Sequence, residues 1–133
     1  MVTKSRVLKP SRKPLTAAEL EMMNVIWRIG PCSVAQVQAQ LRPQRELAYT
    51  SVSTIVRILE QKGYVTSEKE GRGHLYDAAV SKEAYQAQSL KRIVHNVFDG
   101  APSLLVQRLL ASETVTPEEL GQIESLLREK AKG

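Results

Sequence analysis

Cysteine is nearly absent from this sequence. Cys32 is the only one in 133 residues, so the chain can form neither an internal disulfide nor a cysteine-cluster metal site. That fits a reducing compartment. Long apolar runs are missing as well: none would span a bilayer, and the basic beginning is not followed by the apolar segment of a secretory signal. A cytoplasmic protein without membrane insertion is expected. Histidine is scarce, and His74 and His95 have no second ligand or acid at metal or catalytic spacing. With no glycine-rich phosphate loop before a helix and no carboxylate pair on one face, neither an enzyme nor a cofactor is expected. Aromatic residues are few, which leaves the core to Leu, Val, Ile and Ala. A small domain of this kind gains stability by burying more surface in an oligomer.

Acidic residues are absent from the first 14 positions, where Lys4, Arg6, Lys9, Arg12 and Lys13 stand with Pro10 and Pro14. Residues 1–80 carry 12 Lys and Arg against 7 Asp and Glu, whereas residues 81–133 carry 7 of each. The net charge of +5 is therefore that of the arm. Having little to bury, residues 1–14 read as a basic flexible arm that follows phosphates or enters a minor groove, or else as a solubilising tail.

Thr16-Ala17-Ala18-Glu19 has the pattern of a capping box and opens a first helix, with Leu20, Met23 and Trp27 on one face and Ile26 beside it. Trp27 reads as a core residue. Gly30-Pro31 ends the helix, since Gly suits a C-terminal cap and Pro cannot continue it. Ser33-Val34-Ala35-Gln36 repeats the box for a shorter helix that turns Val34, Val37 and Leu41 inward and closes at Arg42-Pro43. Cys32, just before it, reads as a buried structural thiol.

The run Ala48–Gly63 reads as a third helix whose apolar stripe is Val52, Ile55, Val56 and Leu59. At about 100° per residue, Thr50, Ser53, Thr54, Arg57 and Gln61 project on the opposite side, and no carboxylate lies among them. Short hydroxyls permit close approach to phosphates and base edges, and Arg can donate bidentately to guanine, so this face reads as a DNA-recognition face. Tyr64–Glu70 and His74–Ala78 then read as two strands joined at Gly71-Arg72-Gly73, with Arg72 at the tip and Lys69 flanking it. Three helices and a hairpin describe a winged helix-turn-helix over residues 15–80. The expected DNA contacts are Tyr49, Thr50, Ser51, Ser53, Thr54 and Arg57 of the helix with Lys69, Arg72 and His74 of the wing.

Beyond Ser81 leucine stripes take over. Leu90, Ile93, Val94, Val97 and Phe98 line a helix that Asp99-Gly100 terminates. Leu104, Leu105, Val106, Leu109 and Leu110 follow Pro102 in a stripe too broad for a lone surface helix. Thr116-Pro117-Glu118-Glu119 is a further capping box, with Pro at the first helical position, and opens a last helix with Leu120, Ile123, Leu126 and Leu127 inward. Three short helices have little core to share, so residues 81–133 read as a helical dimerisation region packed against the same helices of a second chain. The fold class expected is mainly α with a small β-hairpin wing.

Leu15-Thr16 with Glu19, Trp27, Gly30-Pro31, Ala48-Tyr49-Thr50-Ser51-Val52, Leu59-Glu60-Gln61-Lys62-Gly63, Glu70-Gly71-Arg72 and Tyr76, in this order and spacing, resemble the BlaI/MecI family of penicillinase and methicillin-resistance repressors. The resemblance implies a homodimeric transcriptional repressor. Each winged helix would read one half of a palindromic double-stranded DNA operator, and the C-terminal helices would dimerise. It further implies derepression by proteolysis in the dimerisation part, triggered by a membrane-bound sensor protease that cuts an Asn-Phe bond. The nearest match here is Asn96-Val97-Phe98, with Val97 interposed. The copper-responsive branch of the family has a C-terminal cysteine cluster that this chain lacks, so copper control is not expected. The alternative is a winged-helix module that binds protein without reading DNA, which calls for a carboxylate or exposed hydrophobe on the recognition face.

Overall fold

The computed structural model describes residues 13–42 and 45–133. Among them run six helices and one hairpin: α1 Ala17–Ile29, α2 Val34–Leu41, α3 Tyr49–Gln61, β1 Val65–Glu70, β2 Gly73–Ala78, α4 Lys82–Val97, α5 Pro102–Ala111 and α6 Pro117–Lys132. The arm, apart from Lys13 and Pro14, and Pro43 lie outside the described residues.

Of the three expected capping boxes, those at Thr16 and Ser33 form in full, whereas at Thr116 only the hydroxyl bond from the Glu119 N–H, at 3.1 Å, is made. The Thr16 hydroxyl accepts from the Glu19 N–H at 3.2 Å while the Glu19 carboxylate accepts from the Thr16 N–H at 2.9 Å. Ser33 and Gln36 exchange the same pair of bonds at 3.2 and 2.8 Å. Gly30 ends α1 with φ 80°, a conformation that side chains rarely adopt. The turn into α3 is fastened by Gln38 Nε2, which donates to the Leu47 carbonyl at 2.9 Å, and by the pair of exposed Arg45 with half-buried Glu21 at 3.3 Å.

Helices α1, α2 and α3 enclose one core with the base of the hairpin. Met22, Met23, Val25, Ile26, Val34, Val37, Leu41, Val52, Val56, Leu59, Tyr64 and Val65 are buried in it. Cys32 is fully buried, and burial pushes its thiol pKa up with help from the Asp77 charge, as suits a structural residue. Its backbone exchanges hydrogen bonds with that of Tyr76 at 2.9 and 2.7 Å, so the α1–α2 link forms a bridge beside β2. The strands pair antiparallel from Val65↔Ala78 to Glu70↔Gly73, leaving Gly71-Arg72 as a two-residue loop, with Gly71 at φ 58° in the first loop position.

The chain divides into two compact units between Ala87 and Gln88. The sequence reading sets the boundary at 80/81, so the start of α4 belongs to the winged unit. Its anchor is Tyr85, whose ring lies 5.8 Å from those of both Trp27 and Tyr64. Trp27 Nε1 also donates to the Val80 carbonyl at 2.8 Å, and the Tyr85 hydroxyl accepts from the Leu15 N–H at 3.4 Å. Buried aromatic polar atoms need such partners, and here they tie the segment leaving the wing to α1.

A second tie is electrostatic. Lys62, capping the end of α3, sits 2.7 Å from the Glu19 carboxylate and donates to the Pro14 carbonyl at 3.2 Å. Burial by itself would raise the Glu19 pKa, but the bonds from Lys62 and Thr16 outweigh it and the net shift is downward. A carboxylate with a lowered folded-state pKa contributes stability that is present above its unfolded pKa and lost as pH falls through the folded one. Lys62→Met is expected to cost about 1–3 kcal/mol near neutral pH, since it leaves a buried carboxylate without its partner. In urea melts at pH 7 and at pH 3 the gap between variant and wild type should narrow at the acid end; a pH-independent gap contradicts the assignment.

In the unit of residues 88–133 no helix segment buries a side chain. Val94, Phe98, Leu104, Leu105 and Ile123 are half-buried, whereas Leu90, Ile93, Val97, Leu109, Leu126 and Leu127 are exposed, Leu126 by 65% and Val97 by 61%. The helix α4 ends where Asp99 takes φ 55° and the Gly100 N–H bonds back to the Val94 carbonyl at 2.8 Å. Among the described residues no helix is long and apolar enough to cross a membrane.

Candidate nucleic-acid interface

The stripe Val52, Val56 and Leu59 pins α3 to the core with Ile55 half-buried beside it, and that alone decides which face turns outward. Thr50, Ser51, Thr54, Arg57 and Gln61 are exposed and Ser53 half-buried. The Thr54 hydroxyl donates to the Thr50 carbonyl at 2.9 Å, and Arg57 Nη2 donates to the Ser53 hydroxyl at 3.3 Å. These bonds park the side chains without committing them, because both lie in water and each can be exchanged for an incoming acceptor. Tyr49, at the first position of the helix, exposes 52% of its surface.

Between α3, the start of α2 and the hairpin lies an open groove of about 700 Å³. Tyr49, Ser53 and Arg57 line its α3 side, and Arg72, His74 and Tyr76 its wing side. Ser33, Val34, Ala35 and Gln36 close the third side with the first turn of α2. The structure thus brings Tyr49, Ser53, Arg57, Arg72 and His74 around one concavity. Thr50, Ser51 and Thr54 lie on the exposed helix face outside it, and Lys69 is exposed across the hairpin from its partner His74.

Three groups that the sequence reading did not single out for the site are Glu60, Ser67 and Tyr76. Glu60 follows Ser53 by seven residues, nearly two full turns, and so shares its strip of α3. That spacing was the available signal. Glu60 Oε2 accepts from the Ser67 hydroxyl at 2.7 Å, linking α3 to β1. The Tyr76 ring lies 6.3 Å from that of His74. Burial first, then the Glu60 charge, raises the Tyr76 phenol above its usual pKa, so it stays neutral near neutral pH. The recognition strip itself is free of carboxylates, but its wing-side flank is not. Among the described residues no cluster of His, Cys, Asp and Glu is placed to hold a metal ion.

Chemically, two guanidiniums on opposite rims, a row of hydroxyls and an exposed aromatic suit polyanion contact plus edge-on hydrogen bonding. A family model described as "Penicillinase repressor" matches residues 15–129. The chain is 22% identical over 116 residues to the methicillin resistance regulatory protein MecI of Mammaliicoccus sciuri, covering 87% of this chain and 94% of that one. It is 24% identical over 115 residues to the penicillinase repressor of Bacillus licheniformis, covering 86% and 90% respectively. Among solved structures, that of the DNA-binding domain of the repressor BlaI superposes with a TM-score of 0.51 and 27% identity, over 56% of this chain and 92% of that domain.

Proposed function

The chain belongs to the penicillinase repressor family, and from that premise we propose that it is a DNA-binding transcriptional repressor acting as a homodimer on a two-fold symmetric operator. The observation that carries the reading is the outward face of α3. Thr50, Thr54 and Arg57 stand exposed on a helix locked to the core, with Arg72 across the groove at the wing tip. In this reading α3 enters the major groove, Thr50, Ser51, Ser53, Thr54 and Arg57 meet base edges and phosphates, and Tyr49, Lys69, Arg72 and His74 hold the flanking backbone. The test is selection of duplexes from a random pool by the full chain: a symmetric pair of half-sites should be enriched, and a pool that stays random overturns the reading.

Dimerisation rests on the second unit. Leu90, Ile93, Val97, Leu109, Leu126 and Leu127 present apolar surface that one chain leaves exposed, and Val94, Phe98, Leu104, Leu105 and Ile123 back it. A second copy of the same helices would cover both sets. Because two weak DNA contacts gain strength by being joined, whatever separates the copies derepresses.

A cut by a membrane sensor protease at Asn96-Val97-Phe98 would do this. Asn96 and Val97 are exposed at the last turn of α4, so a protease meets them wherever the second copy is absent or locally open. Mass spectrometry of the protein from induced cells should find the chain cut in this turn; derepression with intact chain persisting rules the cut out.

The basic arm adds affinity without sequence choice. Deleting residues 1–14 is expected to weaken binding to selected and scrambled duplexes alike and to flatten the dependence on salt, as phosphate contacts act through counterion release. An unchanged salt slope would leave the arm as a solubilising tail.

A further inference from the structure

We propose that Glu60 is a specificity-determining residue of this face: its carboxylate keeps phosphate out of the groove between α3 and the wing, weakening attachment to arbitrary DNA more than to the operator. The inference rests on the DNA-reading proposal above. Arg57 and Arg72 line the groove from opposite sides and would draw a phosphate into it. Glu60 lines the same groove, and Glu70 adds a second carboxylate. Among the described residues no cation lies within ion-pair distance of the Glu60 carboxylate, which accepts from the neutral Ser67 hydroxyl at 2.7 Å. Its negative charge is therefore held in place without an ion pair, three residues after Arg57 on the same helix.

The effect on the two kinds of DNA differs for a physical reason. In arbitrary DNA the attraction is almost wholly between cations and phosphates, sampled in many registers, and a phosphate over the groove meets Glu60 in some of them. In the operator one register is fixed by base contacts, and phosphates sit where the rim cations place them. A fixed carboxylate thus subtracts mainly from the sequence-independent part, and discrimination between partners often rests on such a repulsive element. A serine donor suits the role, since it orients the carboxylate without neutralising it, whereas a lysine at position 67 would cancel the charge.

The experiment compares the full-length wild type with Glu60→Gln, Glu60→Asp and Ser67→Ala. Each is titrated onto a duplex selected by the wild type and onto a scrambled duplex of equal length, at one salt concentration. Glu60→Gln is expected to tighten binding to the scrambled duplex roughly three- to tenfold and to the selected one by clearly less, so that their ratio falls. Glu60→Asp, which keeps the charge, should retain the wild-type ratio, and Ser67→Ala should stay close to it. Equal tightening on both duplexes, or none, overturns the assignment. So does a ratio lost equally in Ser67→Ala, which would make Glu60 a strut for the wing. A wild type that does not distinguish the two duplexes removes the DNA-reading proposal itself, and this inference with it.

Discussion

Leu126→Glu is expected to leave each chain folded and to separate the dimer, lowering affinity for the selected duplex by about 10²-fold or more through lost linkage of two half-site contacts. The position suits the test because Leu126 exposes 65% of its surface in the single chain, so a charge there disturbs little packing within it. In the dimer the same carboxylate would be buried beside leucines without a partner, which costs far more than the exposed state. Sedimentation at micromolar concentration should find a dimer for wild type and a monomer for the variant, with equal helical content. A wild type that sediments as a monomer, or a variant that still dimerises, contradicts the assignment of residues 88–133.

Arg57→Ala carries the other large effect. On the proposed contact of Arg57 with a base edge, removing its guanidinium is expected to cost about 1–3 kcal/mol in binding, roughly 5- to 150-fold, and to relax preference at one base pair of each half-site. Stability should hardly change, because Arg57 is exposed and its one bond is to the Ser53 hydroxyl at 3.3 Å. Unchanged affinity with unchanged melting places Arg57 outside the interface. A loss that is equal on selected and scrambled duplexes makes it a phosphate contact and moves the base reading to the hydroxyl row.

Much of the winged unit was legible because its signals are local. The boxes at Thr16 and Ser33 and the glycine after Ile29 each act within one turn of chain and form as read, while the turn expected at Gly71-Arg72-Gly73 is one residue tighter, Gly73 already pairing with Glu70 in β2. The stripe of α3 is likewise a matter of periodicity. What periodicity cannot carry is contact between distant segments. Nothing near Tyr85 announces that it packs on Trp27 and Tyr64, so the boundary expected at 80/81 differs from the division between Ala87 and Gln88. The Cys32–Tyr76 bridge and the Lys62–Glu19 pair escape for the same reason, with separations of more than 40 residues. Glu60 is a different case. Its place beside Ser53 follows from helical geometry, but only the position of β1 makes that flank the wall of a groove.

The geometry of the bound DNA tests the central claim most directly. Hydroxyl-radical footprinting of the full chain on its selected duplex should reveal two protected stretches related by a two-fold axis, on one face of the helix and centred about one or two turns apart. A single protected stretch, or uniform protection along the duplex, would contradict a paired reading head on α3.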